Sequence, residues 1–163
     1  DLIVAENGCV LHDPAGSGPV LLGASPPDDL KAVLVACGVL DMEIGEQLVS
    51  AWRHDEDAVR RAAEALGDRW PCQVVPNKDR VMLIPADVDK GTGLRAAMAH
   101  LGVEPHEVAA IGDGENDLPL LQAAGLGIAV ADAVPALLDV ADLCTDAPAS
   151  AGVVEAIEAL LKP

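Results

Sequence analysis

An apolar run from Val108 to Ile111 breaks at Gly112, passes through Asp113, Glu115, Asn116 and Asp117, and restarts as an apolar helix pattern at Leu118. No other stretch restricts the fold as much. A short apolar strand that ends in a tight polar turn and opens into a helix is one unit of an open α/β sheet. The same rhythm runs through the C-terminal half. Apolar spacing predicts helices over 91–101, 117–124, 134–139 and 152–161, and strands over 108–111, 126–130 and 141–144. Strands separated by such short helices imply right-handed crossovers and a doubly wound parallel sheet. Sheets of this kind keep their ligands at the carboxyl ends of the strands, where this turn falls.

The turn carries chemistry of its own. Asp113, Glu115 and Asp117 bring three carboxylates close together, and a bound cation is the natural relief of their repulsion. Donors that are all oxygen select a hard ion such as Mg²⁺. Gly, Asn and Asp also crowd into ordinary surface turns for backbone reasons. The order Gly112-Asp113-Gly114-Glu115-Asn116-Asp117 behind a buried strand asks for more than such a turn needs.

That order resembles the fourth motif of the haloacid dehalogenase (HAD) superfamily of phosphohydrolases, in the branch holding Cof-type phosphatases and archaeal phosphoglycolate phosphatases. A second string, Asp87-Val88-Asp89-Lys90-Gly91-Thr92-Gly93, resembles the third motif, a Lys-Gly that opens the first helix after an inserted cap. Ile3-Val4-Ala5-Glu6-Asn7-Gly8-Cys9-Val10-Leu11 is similar to the segment by which this branch leaves its core for the cap. By residue propensity alone that segment reads as a hairpin around Asn7-Gly8.

The resemblance implies a Rossmann-like core over 1–12 and 85–163, with a small α+β cap over 13–84. Inside the cap, helices are expected from Leu30 to a stop at Gly38 and from about His54 to Leu66. Strands are expected over 47–53, 72–75 and 80–84, the last two flanking a turn at 76–79. The resemblance also implies roles. Asp113 would bind Mg²⁺, with Asp117 behind it or linked through water, and Asn116 would hydrogen-bond near the phosphoryl group or Lys90. Glu115 holds the variable position and would face solvent. An ammonium at Lys90 could neutralise a nucleophilic carboxylate and the phosphate it attacks. In the cap, Trp52, Arg53, His54, Asn77, Lys78 and Arg80 could meet the substrate, Arg being the natural partner of a second anionic group. His12, His100 and His106 lack companion ligands and read as structural.

Composition excludes several classes of partner. The formal charge is −17 over 163 residues. Such a surface repels nucleic acid and anionic membrane. No apolar run approaches the roughly 20 residues of a membrane span, and no signal peptide is visible. The expected site of action is the cytoplasm, and the widely spaced Cys9, Cys37, Cys72 and Cys144 suit a reducing compartment.

One element of the chemistry is missing. Phosphatases of this family work through an aspartyl-phosphate formed by an Asp-x-Asp motif ahead of the cap. Asp87-Val88-Asp89 superficially resembles that motif, but Lys90 interrupts it and Asp113 follows too soon for the intervening crossovers. The chain also starts at Asp1 inside a strand pattern. The expectation is a Mg²⁺-dependent phosphatase of a small phosphorylated metabolite, phosphoglycolate or a sugar phosphate, whose nucleophile lies in an upstream segment. A homo-oligomer could instead cover sheet edges left bare. The alternative is a non-catalytic binding or interaction module.

Overall fold

A computed structural model describes residues 2–16 and 18–162. The chain divides into two compact units, one running to Asp89 and one starting at Lys90.

The first unit holds two antiparallel sheets. Strands β1 (Ile3–Ala5), β2 (Val10–His12) and β3 (Val20–Leu21) form the smaller one in sequential order. Between β1 and β2 a 3-10 turn runs through Glu6, Asn7 and Gly8, all at positive φ. Asn tolerates that region and Gly is free to enter it, so Asn7-Gly8 makes the hairpin its propensity announces. Next come α1 (Leu30–Cys37), β4 (Met42–Ile44), β5 (Val49–Trp52), α2 (Glu56–Leu66), β6 (Cys72–Asn77) and β7 (Arg80–Pro85). The larger sheet has the order β4-β5-β7-β6, antiparallel throughout.

One face of the larger sheet buries its apolar residues under the two helices. Leu30 and Leu34 of α1 and Val59, Ala62 and Leu66 of α2 pack with Val49, Ala51, Val81 and Leu83. Trp70 closes the end of this core, fully buried, with its indole N–H donated to the Ala24 carbonyl at 2.9 Å. Helix α1 ends where Gly38 takes φ +100° and returns its N–H to the last turn, a left-handed stop that favours glycine. At the head of α2 the N-cap residue Asp55 makes no side-chain capping bond. A 3-10 turn over Arg53–Asp55 leads in, and Glu56 pairs with Arg53 and Arg60 instead.

The opposite face of that sheet is only half covered. Val75, Met82 and Ile84 meet Cys9, Val10 and Val88 in a second cluster. Here the first strands sit against β7, so residues 2–12 are grouped with the 13–84 region. They are joined to it by the β2–β3 pairing and by the contacts of Cys9 and Val10 with Met82 and Ile84. The short strands β3 and β4 are not among the expected elements, being too brief to show a period.

The second unit is α3 (Lys90–Leu101), β8 (Ala109–Gly112), α4 (Leu118–Ala123), β9 (Leu126–Ala129), α5 (Pro135–Leu138), β10 (Leu143–Cys144) and α6 (Ala149–Leu160). Its sheet, in the order β10-β9-β8, is parallel throughout, as helix–strand alternation requires. Ala110, Ala129, Val130, Leu121 and Leu137 make its core, and Gly127 is close-packed because a Cβ there would lie 3.0 Å from that of Leu121. No helix among the described residues is long and apolar enough to cross a membrane.

Candidate functional site

Strand β8 ends at Gly112, and the chain then turns through Asp113 and Gly114 into a 3-10 turn over Glu115–Asp117 that leads directly into α4. Pro119 stands in the first turn of α4, where its missing N–H costs nothing. The loop after β9 meets this turn. The Val130 N–H donates to the Gly112 carbonyl at 3.2 Å, and the Val134 N–H to the Asp113 carbonyl at 3.0 Å. The carboxyl ends of two parallel strands are thereby tied together.

Asp117 is the centre of the turn. Its side chain is almost wholly buried, and its Oδ2 accepts the N–H of Asp113 at 2.9 Å and that of Gly114 at 3.0 Å. An acid three residues past the N-cap reaches back to the cap N–H in the manner of a capping box. Oδ1 accepts the Lys90 ammonium, which comes from the first residue of α3. Lys90 itself stays partly open, its side chain 31% exposed against 7% for Asp117.

Burial pushes the Asp117 carboxyl up, but the Lys90 hydrogen bond, the two backbone N–H groups and the Lys90 charge outweigh it. The carboxyl ends below its usual range. An ammonium at a helix start is unfavourable with the helix dipole, and Asp117 offsets that too. Gly112 makes room for the arrangement, since a Cβ there would lie 2.6 Å from the Asp117 Cβ.

The three carboxylates of the turn have different surroundings. Asp117 turns inward onto Lys90 and the amides, Asp113 is half-buried, and Glu115 is exposed. Asn116 is buried beside Asp117. Among the described residues no group of three or more His, Cys, Asp or Glu side chains is arranged to hold a metal. Mg²⁺ does not require one, because it keeps several waters and commonly takes one or two carboxylates together with substrate phosphate oxygens. The donor chemistry here, an aspartate at the end of a parallel strand with a second behind it, fits such a partial set.

The remaining sequence candidates lie in the first unit, at one end of the larger sheet. Trp52, Arg80 and Asn77 stand side by side across β5, β7 and β6. Arg53 follows Trp52, donates its N–H to the Asp79 carbonyl at 2.8 Å, and turns its guanidinium to Glu56 at 2.7 Å. Two residues that matter here have no signal of their own in the sequence. Ser50 and Glu43 become neighbours of Arg80 only through strand register.

Residues 50–157 match the haloacid dehalogenase-like hydrolases. The phosphoglycolate phosphatase of Archaeoglobus fulgidus is 33% identical over 98% of this chain, which spans 72% of that protein. The phosphoglycolate phosphatase of Natronomonas pharaonis is 37% identical over 96% of this chain and 72% of its own. A solved sugar phosphatase of HAD subclass IIB shares the fold, with a TM-score of 0.77 over 98% of this chain and 75% of that one at 17% identity. With a parallel sheet, the Gly-Asp-Gly-x-Asn-Asp turn at its strand ends and these matches over nearly its whole length, the chain belongs to the haloacid dehalogenase-like hydrolase family.

Proposed function

We propose that this chain forms the phosphoryl-handling and cap part of a Mg²⁺-dependent phosphatase acting on a small phosphorylated metabolite. The observation that carries the reading is the Lys90–Asp117 pair, buried on its carboxylate side and open on its ammonium side, at the carboxyl end of β8. Asp117 fixes the ammonium without covering it. Lys90 then presents positive charge where two anions, an attacking carboxylate and a phosphoryl group, must be brought together. Its position as the first residue of α3 adds the partial positive charge of a helix N-terminus on the same side.

Asp113 would hold Mg²⁺, with Asp117 behind it. When bound, the ion neutralises phosphoryl oxygens and orients the group for attack. Buried Asn116 would fix the turn and hydrogen-bond near the phosphoryl group. The covalent step belongs to an aspartate outside these 163 residues, since no Asp-x-Asp-x-Thr occurs in them. Its carboxylate oxygen would displace the alcohol from phosphorus, with a second acid protonating the leaving oxygen. Water would then cleave the aspartyl-phosphate to release phosphate and restore the carboxylate.

Phosphoglycolate is the first substrate to test, because two relatives spanned over 72% of their length are phosphoglycolate phosphatases. A sugar phosphate is the second. Four unpaired thiols suit a reducing cytoplasm. The experiment is phosphate release from both substrates across a Mg²⁺ titration, with the native mass of the active species measured alongside. Turnover that rises with Mg²⁺ supports the reading. Absence of turnover in a preparation that contains an Asp-x-Asp segment would favour a binding module instead.

A further inference from the structure

The arginine side chains of this acidic protein are satisfied in different ways. Arg53, Arg60 and Arg69 are about half exposed, and each meets a carboxylate at short range. Arg61 caps the Cys37 carbonyl. Arg80 is unlike these. Its side chain is only 22% exposed, yet its carboxylate partner stands off, Glu43 at 3.5 Å with 84% of its side chain in solvent. A well-made guanidinium–carboxylate bond measures about 2.7–2.9 Å. The cation is fixed and its counter-ion is loose.

What fixes Arg80 is visible. The guanidinium carbon lies 4.7 Å from the centroid of the Trp52 ring. Nε donates to Ser50 Oγ at 3.0 Å, and one Nη to the Ser50 carbonyl at 3.2 Å. Trp52 is held in turn by its indole N–H, donated to Asp41 at 2.8 Å. The place is also defined by the sheet. Strand alternation puts Glu43, Ser50, Trp52, Arg80 and Asn77 on the face away from the helices. Farther along that face Met82, Ile84 and Val75 are covered by Cys9, Val10 and Val88, whereas the Arg80 end is not part of that cluster.

We propose that Arg80 on its Trp52 platform is a binding site for the carboxylate of a small organic acid, with Glu43 holding the place of that carboxylate when the site is empty. A guanidinium held along one edge and one face leaves its outer N–H groups for bidentate recognition and loses little conformational freedom on binding. The Nη that donates to the Ser50 carbonyl also faces the Glu43 carboxylate at 3.5 Å, so the guanidinium already meets a carboxylate at this place. An incoming acid displaces an exposed side chain whose own attraction is weak. The whole site lies within the unit ending at Asp89. It deepens the expectation that Arg80 meets a second anionic group of the substrate, and binding of a free acid tests it separately from turnover.

Trp52 supplies the readout. It is partly exposed and in contact with Arg80, while Trp70, the other tryptophan, is buried in the helix-covered core. Glycolate and acetate are titrated into the 163-residue chain at constant ionic strength, with chloride as control, and the fluorescence is followed. A saturable change in the exposed tryptophan's emission is expected. Arg80→Lys should weaken it roughly tenfold by losing the planar fork. Arg80→Gln should abolish it. Glu43→Gln, which removes the internal competitor and is at the surface, should lower the half-saturating concentration several-fold. An unchanged Trp70 emission in each variant certifies the fold. No saturable change in the native chain, an equal response in Arg80→Gln, or no gain in Glu43→Gln would overturn the proposal. Inorganic phosphate saturating at lower concentration than glycolate would overturn the assignment to a carboxylate.

Discussion

Each unit of the molecule places a cation against a carboxylate, and the two pairs are built in opposite senses. In the second unit the carboxylate is the fixed member. Asp117 is buried and takes Lys90 and two backbone N–H groups, while the ammonium keeps an open side. In the first unit the cation is the fixed member, with Arg80 set on Trp52 and Ser50 and the Glu43 carboxylate in solvent. The partner that is buried and multiply bonded is structural. The contrast separates a site that holds its cation permanently from one that can trade its anion.

The largest effect is expected of Lys90→Ala. In the complete enzyme it should cut turnover by orders of magnitude, measured as phosphate release. In this chain it leaves the buried Asp117 charge without its cation and should cost about 3 kcal/mol in a urea titration, the usual scale for breaking a buried pair. Loss of activity with no loss of stability would mean that Asp117 does not depend on Lys90. Next is Gly112→Ala, whose Cβ would fall 2.6 Å from that of Asp117. Overpacking there should cost about 1–3 kcal/mol and weaken the response to Mg²⁺, and a fully active, fully stable variant would show that the turn has room to spare.

A smaller effect is expected in the acid limb of stability. The Asp117 carboxyl is lowered in the folded state, against an unfolded value of about 3.9. A lowered group stabilises the fold above its unfolded value, and that stability is lost as pH falls through the folded one. Thermal denaturation between about pH 5 and 2 should therefore show a steeper loss for the native chain than for Asp117→Asn. Parallel curves would contradict the assignment. The smallest effect belongs to Glu43→Gln, which should change stability by less than about 0.5 kcal/mol, as exposed ion pairs do.

Different parts of the molecule are legible in the sequence for different reasons. Helix α1 can be read because its apolar residues repeat at helical spacing and Gly38 ends it, and α3 because Gly102 does. The parallel sheet follows from the alternation after Lys90. Strand β4 cannot be read, because Met42–Ile44 is too short to show alternation and becomes a strand only by pairing with β5. The turn after β8 is legible as a polar turn at a strand end, but its wiring is not. That Asp117 turns onto Lys90 and the Asp113 and Gly114 amides depends on the path of the backbone, which no composition rule supplies. Arg80 is legible as a substrate candidate by residue type alone. Its platform depends on the β5–β7 register, which sets it opposite Trp52, and on Ser50, which lies two residues away on the same face.

The proposed reaction is covalent phosphoryl transfer, with electrostatic support from this chain and the nucleophile elsewhere. The most direct measurement is to mix the complete enzyme with phosphorus-labelled phosphoglycolate and Mg²⁺, quench in acid within the first turnovers, and map the label by peptide. A hydroxylamine-labile phosphoryl group is expected on an aspartate outside these 163 residues, and much less of it in Asp113→Ala. Label on a residue within this chain, or turnover with no label at all, would contradict it.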